Sequence, residues 1–212
     1  MKPVTPPMPD ELPKVTIQIP LFNEPVVAER LVRKICEIKY PIDKLEIQVL
    51  DDSTDNTQEI LKTVVAEYAA KNFNIKYIHR VDRSGYKAGA LKAGLEVAEG
   101  EFVAIFDADF LPNPDFLMKT VPHFNNPQIG MVQTRWEHLN EEYSYLTKAQ
   151  ALALDGHFAL EQEVRFKSGF FINFNGTAGI WRKSCIYDAG NWQPDTLTED
   201  LDLSYRAQLK GW

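Results

Sequence analysis

Asp107 and Asp109 stand one residue apart at the end of an apolar run, Phe102-Val103-Ala104-Ile105-Phe106. Such a run reads as a buried strand, and the C-terminal tip of a strand is where an open α/β sheet binds ligands. If the chain bends between the two carboxylates, both can reach one hard divalent cation. Mg²⁺ and Mn²⁺ take oxygen ligands of this kind and bridge to substrate phosphates. A plainer role is also open to Asp109. It can start the turn Asp109-Phe110-Leu111-Pro112-Asn113-Pro114, since Asp and Pro both favour turns.

Three further clusters could take part in chemistry. Asp51 and Asp52 open a polar loop, Asp51-Asp52-Ser53-Thr54-Asp55-Asn56-Thr57, whose carboxylates can accept from a nucleobase N–H or from ribose hydroxyls. An Asx-turn or a helix cap would use the same residues, and Asp52 is preferred for the base contact. Thr196-Leu197-Thr198-Glu199 fits a capping box, which gives Glu199 a structural role in a helix running from about Glu199 through Gln208. Asp200 is less needed for capping and can serve as a general base. Asn173-Phe174-Asn175-Gly176-Thr177-Ala178-Gly179 is small and polar, suited to a tight turn or to backbone lying against a ligand. His157 has no second histidine at metal-ligand spacing and reads as a partly buried, satisfied residue. No G-x-x-x-x-G-K-[ST] is present, and Gly85, Gly89 and Gly94 do not form G-x-G-x-x-G after a strand, so P-loop and dinucleotide folds are disfavoured.

The elements that must carry these residues alternate. Five prolines in residues 1–14 predict an extended leader. Val15 to Pro20 then reads as a first strand, and residues 24–38 as a helix capped by Asn23, with Pro25 in its opening turn. Leu45 to Leu50 is a second strand, followed by a helix with Ile60, Leu61, Val64, Val65 and Tyr68 on its buried stripe. Asn74 to His79 is a third strand, residues 86–98 a third helix and residues 101–106 the strand that ends in Asp107. This alternation predicts a mainly parallel sheet with helices on both faces. It gathers the polar loops 22–24, 51–57, 83–89 and 107–109 at one edge. Beyond that point the pattern weakens to a short helix over 114–124, a strand over 129–133 and a long helix over 143–166. Leu146, Ala149, Ala153, His157 and Leu160 would let that helix cover the sheet.

The 212 residues, 44% hydrophobic, can bury the core of one domain. A net charge of −7 disfavours nonspecific attraction to nucleic acid. Cys36 and Cys185 suggest neither a zinc site nor a disulfide framework, and reduced thiols in the cytoplasm are expected. No stretch is long and apolar enough for a membrane span, so the chain as given is expected to be soluble.

In order, the sequence carries Pro20-Leu21-Phe22-Asn23-Glu24, Asp51-Asp52-Ser53-Thr54-Asp55, Gly85-Tyr86-Lys87-Ala88-Gly89-Ala90-Leu91, Asp107-Ala108-Asp109, Phe174-Asn175-Gly176-Thr177 and Thr198-Glu199-Asp200. Together these resemble the catalytic domain of family 2 glycosyltransferases, especially the cellulose-synthase-like and glucomannan-synthase-like processive enzymes. The resemblance implies a GT-A fold in the α/β class, with a Rossmann-like nucleotide-binding half (about 15–110) and an acceptor half (about 111–212). It implies an inverting transfer of a hexose from UDP-glucose or GDP-mannose to a glycan acceptor, forming a β-glycosidic bond with Mg²⁺ or Mn²⁺. On this likeness Pro20, Phe22, Glu24, Asp51, Asp52 and Lys87 hold the nucleotide, with Lys87 near the diphosphate. Asp107 and Asp109 hold the metal, and Asp200 is the base. Phe174, Asn175, Gly176, Thr177 and Glu199 lie at the acceptor.

The processive relatives carry a further Q-x-x-R-W motif after T-E-D, which this chain does not reach. Gln133-Thr134-Arg135-Trp136 lies before T-E-D and is one residue too short to match. The expectation is therefore an excised core of a larger, membrane-embedded protein, working at the cytoplasmic face. Two other readings stand beside it: a nucleotide-sugar-binding fragment without transfer activity, and a phosphotransferase using Asp107 as nucleophile.

Overall fold

The computed structural model describes residues 6–212, and for Ala159 the backbone alone; the first five residues, including Pro3 of the leader, lie outside the described part. Residues 6–14 form no regular element but are tied down, with the Pro13 carbonyl accepting from Tyr40 Oη at 2.6 Å and the Pro7 carbonyl from Asn125 Nδ2 at 2.8 Å.

Four β-α steps follow. They comprise β1 (Val15–Leu21), α1 (Ala28–Ile35), β2 (Leu45–Asp51), α2 (Thr57–Ala69), β3 (Asn74–His79), α3 (Tyr86–Glu96) and β4 (Phe102–Ile105), after which comes α4 (Phe116–Thr120). β1 to β4 pair in parallel, with Ile17 beside both Ile47 and Ala104. The remaining strands, β5 (Met131–Gln133) and β6 (Gly179–Arg182), complete one six-stranded sheet in the order β3-β2-β1-β4-β6-β5. β6 runs antiparallel to both of its neighbours. The expected α/β class and mainly parallel sheet are both found. β6 was not anticipated, although Gly-Ile-Trp-Arg between two loops carries the β-branched and aromatic residues of a short strand.

Alternation along each strand divides the core. Val15, Ile17, Ile19, Ile47, Val49, Phe102, Ala104 and Phe106 face α1, α2 and α4. Leu50, Val103 and Ile105 face α3 and the helices α7 (Lys183–Asp188) and α8 (Glu199–Leu209). Each fully buried aliphatic side chain contributes about 1.5–3 kcal/mol. The α3 side also buries a polar strip whose members bond one another, with Gln18 Oε1 left unpartnered. Thr16 Oγ1 donates to Glu46 at 2.6 Å, Gln18 Nε2 donates to Gln48 Oε1 at 3.0 Å, and Lys76 Nζ lies 2.7 Å from Glu46. Gly94 permits the close approach of α3, because a Cβ there would stand 2.6 Å from Gln18 Nε2.

Three local expectations are corrected. Asn23 does not cap α1, whose first cap position is Val27; Asn23 has φ +54° and bonds the β2 loop instead. The capping box over Thr196 to Glu199 does not form, because α8 begins at Glu199 and its cap residue, Thr198, makes no side-chain cap bond. The long helix does not cover the sheet with its predicted stripe. It is broken into α5 (Tyr145–Gly156), a π-helical segment His157–Gln162 and α6 (Glu163–Lys167), and Leu146 and Leu160 are 69% and 68% exposed. Ala151 and Phe158 are buried in their place, with Phe158 packing on Trp136. The apolar residues on this helix recur without a matching surface on the sheet, and spacing alone could not reveal that. His157 is half-buried and lies 3.0 Å from Glu161, in keeping with its expected role as a satisfied histidine.

Among the described residues, no helix is long and apolar enough to cross a membrane.

Candidate active site

β1 has β2 on one side and β4 on the other, so the chain leaves its tip at a point where the connections diverge. Open α/β sheets bind ligands there. The described structure has a cleft of about 540 Å³ at this point. Pro20, Phe22 and Glu24 form one wall, Asp52 and Lys87 a second, and Asp107 and Asp109 a third.

The walls are held by side chains that stitch neighbouring loops. Asn23 N donates to Ser53 Oγ at 2.8 Å, and Asn23 Oδ1 accepts from Thr54 N at 2.9 Å, so the tips of β1 and β2 move as one. After β3, Gly85 and Tyr86 both take positive φ, +74° and +48°, to turn the chain into α3. α3 then sends Lys87 across the cleft. Its Nζ lies 2.6 Å from Asp107 Oδ1 and donates to the Gly176 carbonyl at 3.0 Å. After β4, Phe110 N donates to the Asp107 carbonyl at 3.0 Å, closing a turn that brings Asp109 round. That turn spans 107–110 and has Asp109 inside it, so the expected turn begun by Asp109 over 109–114 is corrected: the chain bends between the two carboxylates instead.

The loop at 174–178 is fixed from behind. Thr177 Oγ1 accepts from Asp107 N at 2.9 Å, and Gln133 Oε1 accepts from Asn175 N at 2.9 Å. Phe174 N donates to Ser204 Oγ, and Ser204 Oγ donates to the Asp200 carbonyl, tying this loop to the start of α8. Gly176 sits between the charged groups. A Cβ there would stand 3.1 Å from Asp200 Oδ2 and 3.3 Å from Lys87 Nζ, and its φ is +77°. Asp107, Lys87, Gly176 and Asp200 are thereby brought together from four separate segments.

Three candidate residues are placed elsewhere, the first being Thr177, which is 5% exposed with its hydroxyl turned to Asp107 N. Phe174 is 1% exposed and meets Trp181 edge-on, so it anchors the loop from the core. Asp51 is fully buried, accepting from Tyr77 Oη at 2.6 Å and from Ser53 N at 3.0 Å. Its neighbour Asp52 faces the cleft, held by Arg80 at 2.8 and 2.5 Å. Alternation along β2 separates the two.

Sequence reasoning gave no role to Arg80, Arg83 or Gln133. Arg83 lines the cleft with its guanidinium carbon 3.3 Å from the centre of the Phe22 ring. Basic residues flanking a Gly-Tyr-Lys turn in a chain of net negative charge were the available signal. Gln133 carried none, because its value lies in backbone groups far away in sequence.

The electrostatics are one-sided. Burial raises the Asp107 carboxyl above the usual range, against the pull of Lys87, and the negative charges of Asp109 and Asp200 push it further. Burial also raises Glu199, with Lys87 opposing and Asp200 and Asp107 adding to the rise. Lys87, with Arg83 on the same cleft, thus meets an excess of carboxylates in Asp107, Asp109, Glu199 and Asp200. Asp107 and Asp109 offer hard oxygen donors on the cleft wall, and among the described residues no cluster of three or more His, Cys, Asp or Glu forms a metal site by itself. This donor set fits Mg²⁺ or Mn²⁺, which bind through one or two carboxylates and complete their shell with water and substrate phosphate.

The family model for glycosyl transferase family 2 matches residues 16–187. The chain is 48% identical over 205 residues to a probable glucomannan 4-beta-mannosyltransferase 4 of Oryza sativa subsp. japonica, covering 94% of this chain and 37% of that protein. It is 47% identical to glucomannan 4-beta-mannosyltransferase 1 of Cyamopsis tetragonoloba, covering 94% of this chain and 39% of the relative. The chain therefore spans well under half the length of these relatives. Among solved structures, a mannosyltransferase from Pyrobaculum calidifontis in complex with GDP-Man and Mn²⁺ superposes with a TM-score of 0.75 at 25% identity, covering 96% of this chain and 54% of that one. S. aureus TarS in complex with UDP-GlcNAc shares the fold, with a TM-score of 0.65 at 19% identity, covering 92% and 53%.

Proposed function

The chain belongs to glycosyl transferase family 2, and we propose that its cleft transfers a mannosyl group from GDP-mannose to a hydroxyl of a β-linked glycan, with inversion at the anomeric carbon. The observation that carries this reading is the convergence of Lys87, Asp107, Gly176 and Asp200 at the sheet tip. The choice of mannose is supported by the glucomannan 4-beta-mannosyltransferases and by the neighbour bound to GDP-Man.

In this mechanism Asp52 and Phe22 receive the nucleoside, and Lys87 neutralises the diphosphate. Asp107 and Asp109 hold a divalent cation, which when bound offsets negative charge on the leaving diphosphate. Asp200, at the start of α8 beside Gly176, takes the proton of the acceptor hydroxyl. The acceptor oxygen attacks the anomeric carbon on the face opposite the diphosphate, so an α-linked donor gives a β-linked product and no covalent enzyme intermediate forms. The absence of a side chain at Gly176 lets Asp200 and Lys87 approach the same backbone closely. The remainder of the acceptor path, and any membrane-embedded segment, belong in this reading to the length of the relatives that this chain does not span.

Incubation with radiolabelled GDP-mannose, Mn²⁺ and β-mannan oligosaccharides tests the proposal. The expected product is an oligosaccharide one or more mannose units longer, with UDP-glucose a poorer donor. If GDP-mannose binds but neither a longer oligosaccharide nor mannose release is seen, in this chain or in one extended to the relatives' length, transfer is refuted and a binding role stands.

A further inference from the structure

Arg80 follows β3 and lies outside every motif that carries the family likeness. Its side chain is 18% exposed and its guanidinium makes four hydrogen bonds to three partners. Nε and Nη2 form a fork on the two oxygens of Asp52, at 2.8 and 2.5 Å. Nη1 donates to the Ser84 carbonyl at 3.2 Å, and Nη2 donates again to the Tyr86 carbonyl at 3.0 Å. The peptide group that supplies this last carbonyl also supplies the nitrogen of Lys87. The segment between is turned by the left-handed Gly85 and Tyr86 and carries Arg83, whose guanidinium lies on Phe22. Gly89 leaves the space this arrangement needs, since a Cβ there would stand 2.7 Å from Arg80 Nη1 and 2.1 Å from the Ser84 carbonyl oxygen.

We propose that Arg80 is a positioning residue of the donor cleft, joining the Asp52 carboxylate rigidly to the backbone that presents Lys87. Each carboxylate oxygen has two acceptor directions, and the fork occupies one on each, leaving the other pair fixed in orientation for a nucleoside. The same planar group sets where α3 begins, and therefore where the Lys87 ammonium meets a diphosphate. Lysine at position 80 would keep the charge but could not fork on Asp52 while also bonding two carbonyls. This inference rests on the donor reading above.

Calorimetric titration of the whole chain with GDP and Mn²⁺, and with UDP and Mn²⁺ in parallel, provides the test. Arg80→Lys is expected to weaken GDP binding about tenfold at temperatures well below its melting point. A cycle supplies a readout that a merely stabilising residue would not move. In the native background, Asp52→Asn and Lys87→Gln should lose less affinity together than the product of their separate losses. In the Arg80→Lys background the two losses should multiply, since contacting residues couple and disconnected ones do not. Should Arg80→Lys melt below the titration temperature, Arg80→Gln takes its place, since an amide keeps a polar side chain but cannot fork on Asp52 while bonding the Ser84 and Tyr86 carbonyls. Native protein that binds GDP or UDP, with variants of unchanged affinity or an unchanged cycle, overturns the role of Arg80 alone. Native protein that binds neither nucleotide overturns the donor reading and this inference together.

Discussion

At the tip of β2, Asp51 and Asp52 are met by donors that belong to the protein. Tyr77 Oη and Ser53 N serve the first, and the Arg80 fork serves the second. At the tip of β4, Asp107 shares Lys87 with the Gly176 carbonyl, and Asp109 is exposed with no ion-pair partner among the described residues. Glu199 and Asp200 add two more carboxylates to the same side. Two strand ends of similar sequence are thus neutralised differently. Acids whose charge the fold already satisfies are held in place to accept hydrogen bonds. Acids whose charge the fold leaves less balanced are the ones to which the proposed mechanism gives the cation and the acceptor proton. Damage at Asp51 should therefore appear in stability, damage at Asp52 in nucleotide affinity, and damage at the second tip in turnover.

The largest expected effect is at Asp107. Asp107→Asn should reduce transfer by about 10³-fold and abolish the Mn²⁺ dependence of GDP binding, while the melting temperature without nucleotide stays level or rises. Calorimetry and differential scanning on the same preparation check this, and a large fall in melting temperature would place Asp107 with the structural acids. Asp200→Asn comes next. Transfer should fall by about 10² or more while GDP affinity persists, because a base acts on the acceptor and not on the donor. Near-native transfer by this variant would remove Asp200 from the mechanism.

Asp51→Asn tests the other arm. The amide replaces one of the two accepting oxygens, so an NH₂ faces either Ser53 N or Tyr77 Oη in the core, which should cost about 1–3 kcal/mol of unfolding free energy. GDP affinity measured well below the melting point should change little. A loss of affinity at native stability would show that Asp51 reaches the ligand.

The smallest effect is a dependence on pH. The raised carboxyl of Glu199 means that, between the ordinary carboxylate range and its native value, the folded chain holds more proton than the unfolded one. Its contribution is therefore fully present at the acid end and lost as pH rises through that window. Melting curves of Glu199→Gln without metal or nucleotide should lack this decline, so the variant gains on the native protein as pH increases. Parallel curves across the window would show that Glu199 is not crowded by Asp200 and Asp107.

Much of this arrangement was legible in the order of residues. Period-two apolar runs and polar loops after each strand are local properties, and they gave the four parallel strands, three helices and the loop edge where Asp52, Lys87, Asp107 and Asp109 converge. The motifs were readable for the same reason: each lies on a tip whose position follows from its own strand. What the sequence alone could not determine depended on partners distant along the chain. Asp51 and Asp52 are adjacent and chemically identical, and only Tyr77 and Arg80, more than 25 residues away, decide that one is interior and the other faces the cleft. Gln133 acquires its role from backbone groups at 175–178. Gly176 shows its purpose only once Lys87 and Asp200 are seen on either side of it. Periodicity reports which face of an element avoids water. The balance of charge at a site depends on which donors the tertiary fold brings within hydrogen-bonding distance, and that information is not local in the sequence.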